Sequence, residues 1–231
     1  MAVITISRQF GSGGREVATR VCELLGYRYF DKELIAQVAA EIGLLENEAV
    51  DFSEEHYQGQ SLLEGLFRPG PYVVARIPAW THDPTGAETS FIKRLDKLEF
   101  VNLIRGVILG AYDRGNVVIV GRGGQVILAD KPDVLHVRIE APPEIRINRI
   151  QQQQNCSAAQ AQALIVERDR AVTKYLGEIF KVRPDDPNLY HLVINLGKWS
   201  LDSAAHIIAN AVSQLPVEPV GLNFSTQPRI D

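Results

Sequence analysis

Hydrophobic positions along the chain fall into short β-branched runs separated by stretches of helical period. Val3, Ile4 and Ile6 form the first run, of a length and composition that suit a buried strand. Gly11, Gly13 and Gly14 break it. Val17, Val21, Leu24 and Leu25 then follow at helical spacing, so the glycines form a strand-to-helix turn, and Gly26 supplies the helix stop. Residues 27–30 read as a short second strand. Asp31 is placed to N-cap a helix that carries Leu34, Ile35, Val38, Ala39 and Ile42 on one face. Further along, the pattern predicts a helix over 95–111, a turn at Gly115 and Asn116, and a strand over Val117–Val120 apolar enough to be buried on both faces. An alternating strand over 135–139 follows, and Pro142 and Pro143 open a helix bearing Arg146 and Arg149. A helix over 160–180, a strand over 189–196 and a closing helix over 201–215 complete the series. Alternating strand–helix units with a glycine turn after the first strand predict an α/β fold, a parallel sheet flanked by helices.

Residues 46–93 interrupt this rhythm. Acidic residues open the region, and Pro69, Pro71, Pro78 and Pro84 punctuate it. Leu62, Leu63, Leu66 and Phe67 suggest a short amphipathic helix and 72–75 an extended piece, within an otherwise irregular segment. His82 has no partner motif and reads as solvated or packed. The tail 216–231 is rich in proline and polar residues. It is expected to drape over the surface or over a partner subunit.

Composition narrows the function classes. The 231 residues are 45% hydrophobic and 23% charged, ordinary for a soluble globular protein of one domain. A net charge of −4 argues against a general nucleic-acid or anionic-membrane surface, though local arginine clusters still suit a small phosphate ligand. Two cysteines do not make a disulfide scaffold, and Cys22, on the first helix, reads as a core residue. With no long apolar span and no leader pattern, the expected location is cytoplasmic.

The glycine turn carries the candidate chemistry. A strand–glycine–helix turn presents unpaired N–H groups at a helix N-terminus, where the partial positive charge favours an anion, typically phosphate. A bare turn needs neither three glycines nor the adjacent Arg15. A dinucleotide-binding reading of Gly11-x-Gly13-x-x-Glu16 puts a charged side chain where close helix–strand packing requires a small one, although Asp31 lies at the distance of a ribose-binding acid.

Gly11-Ser12-Gly13-Gly14-Arg15-Glu16, Tyr29-Phe30-Asp31, the Val118-to-Gly123 stretch, Arg146-x-x-Arg149 and Glu167-Arg168-Asp169 together resemble the cytidylate kinase-like family, a divergent branch of P-loop nucleoside-monophosphate kinases. The resemblance spans about residues 2 to 213. It implies a P-loop kinase-like sheet within 1–215, with an acceptor-binding insertion at 46–93 and a lid at 150–163. It also implies ATP and Mg2+ as cofactors and a small-molecule phosphate acceptor, a nucleoside monophosphate being one candidate. No nucleic acid or membrane partner is implied, and homo-oligomers are left open.

By the same resemblance, Gly11, Ser12, Gly13, Gly14, Arg15 and Glu16 hold the cofactor; Glu16, which stands in for the family's hydroxyl residue, is the candidate metal ligand by its position. The resemblance puts Arg146 and Arg149 in a lid over the transferring phosphoryl group, and Arg15, at the start of the helix and within one residue of the absent lysine, is placed to take over part of its work. Asp31, Arg122 and Arg168 belong to the acceptor side. Each has a plainer alternative: Asp31 as a helix cap, Arg122 as a surface arginine between glycines, Arg168 in a buried ion pair, Arg15 solvated or paired with an acid. The departures bear on activity. Gly14 stands where the loop lysine belongs, Glu16 where the metal-binding hydroxyl belongs, and Val120 where an acid belongs. Lys32, Ala36, Gln37, Val172 and Tyr175 replace the cytosine- and phosphate-reading groups. Two functions follow: an ATP-dependent kinase of a small phosphate acceptor, or a non-catalytic nucleotide-binding or regulatory protein that keeps the fold.

Overall fold

The computed structural model describes residues 2–30, 72–76, 81–82, 88–89 and 92–215, and only the backbone for 72–100 and Leu103. Asp31 and its expected helix, the amphipathic piece at 62–67, Trp80 and the tail from 216 lie outside the described residues.

The first strand, β1 (Val3–Arg8), runs into α1 (Gly14–Leu25) and returns as β2 (Arg28–Phe30). Four short strands follow, β3 (Tyr72–Arg76), β4 (Thr81–His82), β5 (Glu88–Thr89) and β6 (Ile92–Asp96), then α2 (Lys97–Arg114). The chain continues through β7 (Val117–Val120), α3 (Gly124–Ile127), β8 (Val134–Glu140), α4 (Pro143–Gln154) and α5 (Ala158–Ile179). A 3-10 turn at Pro187–Leu189, β9 (Leu192–Asn195) and α6 (Leu201–Ser213) end the described fold.

Five strands form one parallel sheet in the order β2-β7-β1-β8-β9. β1 lies at its centre, with Ile4 opposite Val118 on one side and Leu135 on the other. One face packs Ile4, Ile6, Val118, Val137 and Ile139 against Val17, Ala18 and Val21 of α1 and Ala204, Ala205 and Ile208 of α6. The opposite face packs Val3, Val117, Ile119 and Val134 against Ile104, Val107, Ile108 and Ala111 of α2 and against Leu128. Each fully buried Val or Ile contributes about 1.5–3 kcal/mol relative to exposure, so this two-sided core holds the sheet rigid beneath its C-terminal edge. A third cluster, Ile150, Ala161 and Ile165 with Phe10 and Ile147, fastens α4 and α5 to the turn after β1.

The fold is the predicted parallel sheet flanked by helices, with several boundaries moved. The helix expected from 95 begins at Lys97, because Ile92–Asp96 pairs antiparallel with Tyr72–Arg76. The strand expected over 189–196 shrinks to Leu192–Asn195, because Asp186 accepts from the Asn188 N–H at 2.9 Å and holds residues 187–189 in a 3-10 turn. Cys22 is buried as expected, and burial, reinforced by Glu23, pushes its thiol up to about 11, leaving it protonated and unreactive. No helix among the described residues is long and apolar enough to cross a membrane.

Candidate functional site

Ligands of open parallel sheets bind beyond the C-terminal ends of the strands, where the strand order reverses. β1 ends at that edge between β7 and β8. Its last residues stay in register, since the Gln9 N–H donates to the Ile139 carbonyl at 3.1 Å and Gln9 Oε1 accepts from the Ala141 N–H at 3.2 Å. The chain then turns sharply, with the Ser12 N–H bonded to the Gln9 carbonyl at 3.2 Å. Gly13, at φ +93, serves as N-cap of α1 and offers no side-chain cap. That φ is favourable only for glycine. The uncapped N–H groups of the first turn and the helix dipole make this an anion-binding terminus.

Two arginines of α4 reach this turn, and their roles differ. Arg149 Nη1 donates to the Gly11 carbonyl at 3.0 Å and lies 2.7 Å from the point where a Cβ on Gly13 would stand. Arg146 is buried; its Nε donates to the Phe10 carbonyl at 2.7 Å and its Nη2 pairs with Asp169 Oδ2 at 2.5 Å. Asp169 Oδ1 accepts the Phe10 N–H at 3.1 Å, so one carboxylate gathers α4, α5 and the turn. Arg149 therefore faces the ligand side, whereas Arg146 braces the turn from behind.

A cleft of about 340 Å3 opens over the turn, with Arg8, Gly11, Gly13, Arg15, Glu16 and Arg149 among its walls. Three arginines against one glutamate among its described walls suit a polyanion. Glu16 Oε1 accepts from Gln153 Nε2 at 3.0 Å, a bond that bridges α1 and the end of α4. Arg122, at φ +63, is buried at the end of β7 between two glycines of positive φ, close to this edge but outside the cleft walls. Arg168 is 6% exposed, its Nε and Nη1 have no hydrogen-bond partner, and its guanidinium stands 5.9 Å from the Phe10 ring centroid. Among the described residues it forms no ion pair, because its neighbour Asp169 is held by Arg146. Asp31 lies outside the described residues.

Three features had not been given a role from sequence. Arg8 enters the cleft from the sheet. Asp169 organises the turn. On the α2 face, Arg138 donates to Glu140 at 2.6 Å, with the Tyr190 hydroxyl bonded to the Pro184 carbonyl at 2.9 Å beside Ser7. For Arg138 the signal was its place on the alternate face of β8, which a sheet covered on both sides also buries.

The sequence profile described as "Cytidylate kinase-like family" matches residues 3–198. The chain is 33% identical over 105 residues to the cytidylate kinase of Methanocaldococcus jannaschii, a match that covers 44% of this chain and 58% of that relative. With the cytidylate kinase of Halobacterium salinarum it shares 23% identity over 216 residues, 94% of this chain and 92% of that one. A crystal structure of an uncharacterized protein from Eubacterium ventriosum shares the fold, with a TM-score of 0.62 at 20% identity, covering 93% of this chain and 99% of the other.

Proposed function

The chain belongs to the cytidylate kinase-like family, and from that premise we propose that it transfers the γ-phosphoryl group of ATP to a small acceptor that itself carries phosphate. The observation that carries this reading is the uncapped turn at the start of α1 opening into a cleft with three arginines. Phosphoryl transfer asks a protein chiefly for positioning and charge stabilisation. The N–H groups of the turn, that of Ser12 excepted since it donates to the Gln9 carbonyl, hold the β- and γ-phosphates, and Arg149 and Arg15 offset the charge that builds on the equatorial oxygens. An acceptor oxygen bonds to the γ-phosphorus, the bond to the β-phosphate oxygen breaks, and ADP leaves. Losing one such donor costs other enzymes about 2.7–4 kcal/mol of barrier. One carboxylate is enough for Mg2+, which takes one or two and completes its shell with phosphate oxygens and water. Glu16 would hold that ion, which when bound neutralises charge between the β- and γ-phosphates. Arg168, buried with two unpartnered nitrogens, supports an anionic group on the acceptor side, with Arg122 as a second cation, while Asp31 is assigned to that side by the resemblance alone.

A second reading, a nucleotide-binding protein without transfer, is favoured by Gly14 at the lysine position and Val120 at the acid position. An acceptor screen that follows ADP formation with each nucleoside monophosphate separates the two. Acceptor-dependent ADP release, fastest with an acceptor other than cytidylate, is expected, because Lys32, Ala36, Gln37, Val172 and Tyr175 replace the family's cytosine- and phosphate-reading groups. Rapid turnover selective for cytidylate would contradict the specificity. No acceptor-dependent release at all would favour the second reading.

A further inference from the structure

We infer that Arg8 supplies the cation that a loop lysine would supply, and that residue 14 is glycine because Arg8 occupies the lysine's path; this rests on the proposed phosphate-binding turn. Strand alternation puts Ile4, Ile6 and Arg8 on one face of β1. Ile4 and Ile6 lie beneath Val17, Ala18 and Val21 of α1. Arg8, two residues further on, comes to the rim of that face where α1 begins.

A Cβ added to Gly14 would stand 2.6 Å from Arg8 Cβ and 3.1 Å from Arg8 Cγ. These are the first carbons of the arginine side chain, fixed to the strand, and they cannot swing aside as a side-chain tip does. A side chain at 14 and the arginine stem at 8 therefore exclude one another. The stem runs through the space in which a lysine from residue 14 would start, and Arg8 then lines the cleft beside Gly11 and Gly13.

The other two cleft arginines are mounted differently. Arg15 leaves the outer side of α1 and is exposed, and Arg149 comes from α4 with Nη1 bonded to the Gly11 carbonyl at 3.0 Å. Arg8 is the one carried by the sheet, so the root of its side chain is fixed before any ligand arrives. Its guanidinium is planar and weakly hydrated and bonds two phosphate oxygens at once, where an ammonium offers a point charge.

The test is calorimetry with sodium tripolyphosphate on the full chain, a probe that needs neither nucleoside nor turnover. Arg8→Gln keeps the stem and removes the charge. Its expected result is binding weaker by about tenfold or more with an unchanged unfolding temperature, since a charge-assisted bond is worth at least that factor. Arg8→Lys should recover most of the loss, and Arg15→Gln should lose less than Arg8→Gln. The double variant Arg8→Gly/Gly14→Lys removes the overlap and returns the cation to residue 14. It should bind tripolyphosphate far better than Arg8→Gly alone.

Wild-type affinity in Arg8→Gln, or a double variant no better than Arg8→Gly, would overturn the assignment. Arg8-dependent tripolyphosphate binding without acceptor-dependent turnover would uphold it while removing the transferase reading. Failure of the wild-type chain to bind tripolyphosphate would overturn both.

Discussion

His136 illustrates how one side chain carries a consequence for the whole fold. It is 3% exposed on the α2 face of β8, with Nδ1 2.7 Å from the Thr5 hydroxyl and its ring 4.9 Å from that of His191. Burial, and secondarily the charge of His191, lowers its pKa to about 4 from 6.5. The sign follows from proton binding: between these values the unfolded chain takes up a proton that the folded chain refuses. The contribution of neutral His136 is thus complete above pH 6.5 and is lost as pH falls through that window towards about 4. About 3 kcal/mol is at stake at most, at 1.36 kcal/mol per pKa unit. Urea unfolding from pH 7 to pH 4 should show stability falling across this range and a shallower fall in His136→Gln. Equal slopes in the two proteins would remove the histidine as the cause.

At the scale of elements, the α4–α5 hairpin positions one of the three cleft arginines, Arg149. Ser157 accepts from the Gln160 N–H at 3.2 Å while Gln160 Oε1 accepts from the Ser157 N–H at 2.9 Å, a reciprocal cap that starts α5. Ile150, 1% exposed, seals the hairpin against Gly11, its Cγ1 3.0 Å from where a glycine Cβ would stand. Ile150 belongs to a small apolar core with Ala161 and Ile165, so a charge at this position would be buried. Ser157→Ala should cost about 1 kcal/mol, the usual value of an N-cap, measured as a lower urea midpoint at unchanged slope. Because Arg149 bonds the Gly11 carbonyl from this hairpin, the same variant should weaken phosphate binding only slightly. A large loss of binding at full stability would mean that the cap itself touches the site.

Across the whole molecule, the central architecture was legible because β1 and β7 are apolar runs next to glycine turns and β8 alternates before the Pro142–Pro143 helix start, each followed by a helical period. Gly11, Gly13 and Gly14 announced the turn for the same reason: few other roles need three glycines beside an arginine. Strand β6 was not legible, since Ile92, Lys93, Arg94 and Leu95 lack a period of two and merge with the helix that follows. Nor was the division of labour between Arg146 and Arg149, because helical spacing places both on one face and says nothing of Asp169 arriving from α5. Arg8 went unassigned because its meaning depends on what residue 14 lacks.

Phosphate binding at the turn is tested most directly by titrating ATP into the wild-type chain and into Gly13→Val. A side chain at residue 13 would be held at φ +93, costing about 1–3 kcal/mol, and would meet Arg149 Nη1 at 2.7 Å and Leu201 Cδ2 at 2.9 Å. Both contacts are side-chain tips, so the fold should survive while the cradle for phosphate is filled. Calorimetry should then register binding for the wild type and none for a folded Gly13→Val protein. Equal affinities in the two would contradict phosphate binding at this turn.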